Sequence, residues 1–315
     1  MRELIVGSRG SRLALAQTRE VIEQLGTRNP GVSFRTEIIR TAADKEQRTS
    51  LTQFGRTGVF VREIEQALLA GRIDLAVHSA KDVPSEMDPQ LCIAAYPARA
   101  NPADVFVSRV GPLLEVPRGA RIGTSSARRR AQLMAVRADL VPAEIRGNID
   151  TRLAKVERGD YDAVILAYAG LARLGLTSVI TDELDLDSWL PAAGQGALAV
   201  QCRTDDPVRE LIAQIDDWAT RACVTAERAF IRELRAGCLA PVGVLATIKG
   251  ENMEIRGLVA APDGSVVVRY SEVGDRNDPE SLGAHLANRF LRSEAREFLR
   301  SRSGTLTVDN NANED

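Results

Sequence analysis

Histidine is almost missing from this chain of 315 residues, which holds only His78 and His285. Its four cysteines, Cys92, Cys202, Cys223 and Cys238, lie far apart with no C-x-x-C spacing. So few soft ligands argue against a zinc site, and in a reducing compartment the thiols are expected to be free. Aromatic residues make up 4%, too few for a platform that stacks the bases of single-stranded nucleic acid. A net charge of −2 gives no overall field to recruit a polyanion. No stretch approaches the roughly 20 apolar residues of a membrane span. The opening Met-Arg-Glu-Leu-Ile-Val-Gly has no long apolar h-region and reads as a first strand, which predicts a cytoplasmic protein. Lysine is scarce too. Of 41 basic residues only Lys45, Lys81, Lys155 and Lys249 are lysines, and the other 37 are arginines. That skew fits genomic base composition, and equally a protein that grips carboxylates or phosphates with planar forks.

What is present is an α/β pattern. The stretch 73–84 runs from an apolar strand, Ile73 to Val77, into a polar turn that stops at Pro84. Ligands of open α/β sheets bind at the carboxyl ends of strands. This end carries His78, Ser79, Lys81 and Asp82, either as a solvated turn with an ordinary ion pair or as the mouth of a crevice. Before it, a strand over 3–8 leads through Arg9 to Ser11, the expected N-cap of a helix. Arg9 is then either a surface arginine or an anion partner beside a helix N-terminus. A strand over 33–39 follows, then a long polar loop over 41–57 and a helix from Val59 to Ala70 stopped by Gly71. A strand at 91–96 completes a βαβα order with parallel-sheet character.

Residues 97–104 read as a crossing into a second unit. There a strand at 121–123 ends in Gly-Thr-Ser-Ser-Ala-Arg-Arg-Arg, so Thr124, Ser126, Arg128 and Arg129 open a helix as Ser11 does in the first unit. The echo predicts two similar domains, each aiming a helix N-terminus into a shared cleft. A strand over 143–146 leads to Asn148, the expected cap of a helix closed by Gly159, with Arg146 before it and Arg152 in its first turns. Another strand covers 162–167, and Arg173 lies beyond it. Residues 191–196 return to an apolar strand, 197–200, back in the first domain. Asp205-Asp206-Pro207 reads as a cap with proline at N1. A helix over 218–235, three strands (242–248, 253–261, 265–272) and a helix over 279–299 make a small α+β unit, with a polar tail from Ser301. The expected division is 1–98 with 197–216, then 99–196, then 217–315. Cys238, on the loop after the long helix, is either a small buried hydrophobe or an exposed thiol able to bear a covalent group.

Together these motifs resemble the porphobilinogen deaminase (hydroxymethylbilane synthase) family. The matching segments are Ser8-Arg9-Gly10-Ser11 with 13–17, Ala76 to Pro84, Gly123 to Arg129, Arg146-Gly147-Asn148 with Thr151-Arg152, Pro191 to Gly196, and Gly237-Cys238 with Pro241. They occur in the family's order across nearly the whole chain. The resemblance implies two type 2 periplasmic-binding-protein-like α/β domains joined by hinges, plus a small α+β domain. It implies a dipyrromethane cofactor in thioether linkage to Cys238, and no metal. It implies a monomeric transferase of tetrapyrrole (haem) biosynthesis that adds four porphobilinogens in turn, each losing ammonia, and releases hydroxymethylbilane by hydrolysis. Asp82 would be the catalytic carboxylate, stabilising an azafulvene cation and moving protons. Lys81, Thr124, Ser126, Arg128, Arg129 and Arg152 would hold the cofactor, with Lys81 also keeping Asp82 ionised. Arg9, Ser11, Arg146 and Arg173 would hold substrate carboxylates. Two departures stand out. Thr57 takes a position that is lysine in many relatives, so Arg56 is the candidate cation of that loop, and Leu239-Ala240 follows the cysteine. The competing reading is a non-catalytic two-lobed receptor for a polycarboxylate anion.

Overall fold

The computed structural model describes residues 2–40, 61–84, 86–236 and 240–300. The loop 41–58 with Arg56 and Thr57, the cysteine Cys238 and the tail from Ser301 lie outside the described residues.

Three sheets organise the chain. The first contains β1 (Arg2–Ser8), β2 (Val32–Ile38), β3 (Leu75–Ser79), β4 (Leu91–Ala95) and, from much later in the chain, β10 (Leu198–Arg203), in the order β2-β1-β3-β10-β4. The second contains β5 (Asp104–Ser108), β6 (Arg121–Gly123), β7 (Val141–Ala143), β8 (Ala163–Ala167) and β9 (Asp182–Glu183), in the order β7-β6-β8-β5-β9. The two orders are the same arrangement. In each sheet the fourth position is filled by the strand that has just crossed over, and it runs antiparallel to both neighbours. The expected parallel character therefore holds only for β2-β1-β3 and β7-β6-β8. A chain entering from the opposite lobe reaches the sheet from its carboxyl edge, so it can join only head to tail. Two hinged α/β lobes of one strand order are what the resemblance implied.

Helices α1 (Arg12–Arg28) and α2 (Arg62–Leu69) belong to the first lobe. In the second lie α3 (Ala127–Val136), α4 (Ile149–Glu157) and α5 (Tyr168–Arg173). The side chain of Ser11 accepts from Ala14 N, that of Ser126 from Arg129 N and that of Asn148 from Thr151 N. All three satisfy a first-turn N–H that the helix itself leaves unpaired. Helix α6 (Val208–Ala213) is capped one residue later than expected. Pro207 occupies the cap position, and Asp206 accepts from Val208 N.

The third sheet is β11 (Val242–Lys249), β12 (Asn252–Ala260) and β13 (Val267–Asp275), an antiparallel meander covered by α7 (Trp218–Glu233) and α8 (Pro279–Leu291). Phe230 and Phe290 meet edge to face at 5.5 Å, and Tyr270 meets Phe290 at 4.8 Å. Each buried phenylalanine contributes about 1.5–3 kcal/mol by leaving water. Helices α7 and α8 cross closely because residue 283 is glycine, where a Cβ would run into the Ala226 carbonyl. The single helix expected over 279–299 is instead two. Ser293 donates to Phe290 O and accepts from Ala295 N, closing α8 and starting α9 (Ala295–Arg300). Residues 144–146 leave the sheet, so β7 covers 141–143 rather than the expected 143–146. Strand β3 runs through His78 and Ser79, two residues beyond the expected end, because β10 supplies Ala199 and Leu198 as their ladder partners.

Two crossings join the lobes, 96–103 outward and 191–197 back. Arg99 ties them to the third unit. Its guanidinium donates to both oxygens of Glu227 on α7, at 2.7 and 3.1 Å, and to Gln195 O at 2.8 Å. Glu227 is fully buried and also accepts from Gly194 N and Ala246 N. Gly196 adopts φ +88°, and a Cβ there would strike the Ala100 carbonyl of the other crossing. Only glycine lets the two segments lie this close.

Candidate functional site

The carboxyl ends of β1 and β3 meet at a cavity of about 80 Å³. Arg9, Ser11, Gln17, His78, Ser79 and Asp82 are among the residues lining it. Thus three of the sequence-derived candidates, Arg9, Ser11 and Asp82, come together although more than 70 residues separate the first from the last. Asp82 and Lys81 sit on a short 3-10 turn, Ala80–Asp82, that follows β3 directly. Both side chains face open solvent in the cleft, while Ala80 and Val83 on either side are buried and pin the turn. His78 is buried below. Its Nε2 lies 3.0 Å from Gln201 Oε1, and the Gln201 amide nitrogen donates to Glu65, so Nε2 must be the protonated nitrogen. Burial lowers the His78 pKa to about 4, with Arg9 adding to the effect against the Gln201 hydrogen bond. It therefore stays neutral through the physiological range and holds the end of β3 rather than moving protons.

The second lobe is built differently. Thr124 and Ser126 stand at the start of α3 as expected. Arg128 and Arg129 are buried on it, each ion-paired at 2.6 Å to Asp104. Arg128 donates further to Leu190 O, and Arg129 to Ile165 O. Asp104 is fully buried and also accepts from Trp189 Nε1 at 2.9 Å and Gln195 Nε2 at 2.8 Å. Burial alone would raise its carboxyl pKa, but the two guanidiniums outweigh that and hold it far below the usual carboxylate range. The pair that reads as free anion forks in the sequence is thus anchored on an internal counter-charge.

Gln195 links this group to the first lobe. Its Oε1 lies 3.5 Å from Lys81 Nζ, at the long limit of a hydrogen bond. Solvent reaches Lys81, yet cleft walls surround it closely. That crowding lowers its pKa to about 8, with Asp82 and Asp104 opposing the fall and Arg129 and Arg128 adding to it. Arg152 behaves alike. Burial, then Arg129 and Arg146, bring it down to about 10, while its Nε donates to Gly147 O. Arg146 pairs with Glu144 at 2.5 Å. Arg173 is turned across the lobes, donating to Glu20 on α1 at 2.8 Å and to Gly196 O.

Sequence reasoning missed Asp104, Gln195, Arg99 and Glu227. Asp104 did leave a signal, since an acidic residue opening a strand as apolar as Val-Phe-Val needs buried counter-charges. Gln195 lay inside the matching segment Pro191 to Gly196 with no role read for it, and Arg99 and Glu227 left no signal.

Desolvation, more than repulsion between cations, lowers the pKa of Lys81 and Arg152, so both gain from an anion that replaces the lost water. A ligand bearing several carboxylates supplies that, and a dipyrromethane with acetate and propionate arms is such a ligand. The donor set fits it: Lys81 is exposed, Arg152 and Ser126 are half-buried, and Thr124, Arg128 and Arg129 are buried behind them. Among the described residues, no group of three or more His, Cys, Asp or Glu stands close enough to hold a metal ion. No described helix is long and apolar enough to cross a membrane.

Fold and site together define a two-lobed α/β protein with a cationic anion cleft at its hinge and an added α+β unit. Comparison with known sequences narrows this. Residues 4–210 match the family model described as porphobilinogen deaminase, dipyromethane cofactor binding domain, and residues 221–292 match the porphobilinogen deaminase C-terminal domain. The chain is 47% identical over 298 residues to a porphobilinogen deaminase of Roseiflexus sp. (strain RS-1), covering 94% of this chain and 98% of that one. It is 48% identical to that of Desulforudis audaxviator (96% and 99% covered), and 47% identical to that of Deinococcus radiodurans (95% and 98%). The chain belongs to the porphobilinogen deaminase family.

Proposed function

We infer that the chain carries out its family's reaction, the stepwise joining of four porphobilinogen molecules with loss of ammonia, followed by hydrolytic release of hydroxymethylbilane. The observation that carries the reading is the meeting of the Asp82 carboxylate with Arg9 and Ser11 at one cavity, facing a second lobe rich in arginine. When bound, the dipyrromethane cofactor supplies the pyrrole carbon from which the product chain grows.

The residues have distinct parts. Cys238 is the attachment point. Lys81, Arg152, Thr124 and Ser126 orient cofactor carboxylates by charge and hydrogen bonding, and Arg128 and Arg129 add positive potential from behind. Arg9, Ser11, Arg146 and Arg173 receive the acetate and propionate groups of incoming substrate. As the aminomethyl group of porphobilinogen loses ammonia, positive charge spreads into its ring. Asp82 faces that charge and lowers the cost of forming it. Its Oδ atoms then take up the proton released on condensation. Arg56 serves the cleft from the loop 41–58. The three-unit division, 1–98 with 197–216, 99–196 and 217–315, puts Asp82, the arginine pair and Cys238 each in a different unit. The enzyme acts in the cytoplasm, where its small soluble substrate is at hand, and each chain carries a whole site and works as a monomer.

The test is the intact mass of purified protein. The enzyme should weigh two pyrrole units more than its chain, and Cys238→Ala should lose that increment. Protein of bare chain mass that still binds polycarboxylates would instead be a two-lobed receptor. An adduct on Cys92, Cys202 or Cys223 would move the attachment point.

A further inference from the structure

Away from the cleft, the described residues hold one pair of thiols placed to react with each other. Cys92 on β4 and Cys202 on β10 are direct partners across the antiparallel ladder, with sulfurs 3.9 Å apart. Directly opposed residues of such a pair have Cα atoms about 4.5–5.5 Å apart, inside the roughly 4.4–6.8 Å that a disulfide spans. Side-chain rotation about χ1 is the motion that would close the remaining gap between the sulfurs. Cys92 is partly exposed and Cys202 is buried, so a reagent can reach the pair from one side. The third described cysteine, Cys223, is buried in the core of the α+β unit.

Their location gives the pair a consequence. Strand β4 leads into the outward crossing, and β10 is what the return crossing becomes. A bond between Cys92 and Cys202 therefore closes a chain loop that contains the entire second lobe. We propose that Cys92 and Cys202 form a reversible modification site, which acquires a disulfide by exchange with a low-molecular-weight disulfide and, once closed, staples the two ends of the second lobe together.

The exchange balances in two displacements. The Cys92 thiolate attacks one sulfur of R–S–S–R, forming a mixed disulfide and expelling one thiolate. Cys202, deprotonated, then attacks the Cys92 sulfur and expels the second. Two electrons pass from the cysteines to the reagent, and the two cysteine protons end on the two released thiols. The second step is the slower one at neutral pH. Burial, then the neighbouring Cys92 and Asp206 on the loop before α6, push the Cys202 thiol up to about 12, with Arg209 on α6 opposing them. The mixed disulfide on Cys92 should accumulate first and close faster as pH rises.

The test uses the full chain with its cofactor, reduced and then incubated with oxidised glutathione at pH 8. Intact mass should pass through a single glutathione adduct to a species two hydrogens lighter than the starting protein. A non-reducing digest should join the peptides of Cys92 and Cys202, and added thiol should reverse it. Closure should raise Tm by on the order of 5 °C, because a long loop loses entropy in the unfolded chain. Cys202→Ala should stop at the adduct, and Cys92→Ser should never yield the joined peptide. The assignment is overturned by an adduct on Cys92 that never closes in the wild type, by a joined peptide using other cysteines, or by closure that leaves Tm unchanged. The wild-type map decides the matter even where a variant fails to fold.

Discussion

The two lobes share one strand order and one helix-capping device, yet they hold charge in opposite ways. In the first, Ser11 caps α1 and the next turn carries Leu13 and Ala14, while the charges, Lys81 and Asp82, stand on a turn open to the cleft. In the second, Ser126 caps α3 and the equivalent positions are Arg128 and Arg129, both buried on Asp104. The crossover strand of the first lobe opens with Leu198, and that of the second opens with Asp104. One architecture thus supplies an exposed charge pair on one side and a rigid cationic wall on the other. Exposed charges can exchange partners during a reaction. Buried ones cannot, because moving them would strand a charge without solvent.

The contrast can be broken most strongly at Asp104. Asp104→Asn should leave two buried guanidiniums short of their counter-charge and cost about 3–5 kcal/mol of stability, read from urea denaturation. A loss under about 1 kcal/mol would mean that the second lobe is no more locked than the first. Asp82→Asn should do the reverse, leaving the urea midpoint in place while kcat falls about 10²–10³-fold, a range set by removal of one charge-stabilising group. Near-normal turnover would remove Asp82 from its proposed role.

Lys81 sharpens the comparison through pH. Its folded pKa of about 8 lies below the ordinary 10.5. Both states carry the proton below about 8, so the cost of the crowded charge is fully present there. It is relieved as pH rises from about 8 toward 10.5, where the unfolded chain binds more protons. Lys81→Met should therefore be at least as stable as wild type at pH 7 and should lose that pH dependence. Cofactor orientation, by contrast, should loosen as pH passes 8, so kcat should fall there, and Lys81→Arg should abolish that limb of the kcat profile. A profile flat from pH 7 to 9 in the wild type would show that Lys81 does not hold carboxylates. The smallest effect belongs to the Arg12–Asp150 pair, which joins the lobes at 2.8 Å with both side chains exposed. Arg12→Ala should change stability by no more than about 1 kcal/mol, and less in high salt.

Much of this was legible in the chain itself. Apolar strands that end in glycine and hydroxyl residues followed by a helical period place Arg9, Ser11, Thr124, Ser126 and Asp82 at strand ends, and the caps at Ser11, Ser126 and Asn148 stand where local chemistry put them. Such features depend on residues within one turn of each other. Where the reading of the first sheet strayed, a distant partner intervened. β3 was lengthened by β10 and the antiparallel sense of β10 came from the crossing, whereas the missed break at Ser293 is local, a hydroxyl that bonds Phe290 O and Ala295 N.

By itself, then, the sequence determined the succession of elements, the repeated lobe pattern, the helix starts and the family to which the chain belongs. These rest on short-range periodicity, capping and motif order. Only the tertiary structure decided which arginines face the cleft and which are spent inside. Arg128, Arg129, Arg146 and Arg152 look alike in one dimension, and the difference is made by Asp104, which lies more than 20 residues before the first of them. Only there, too, do Cys92 and Cys202 become neighbours. The physical reason is the same in both cases. A charge or a thiol acquires its character from what lies within a few ångströms, and in this chain those neighbours arrive by way of the two crossings.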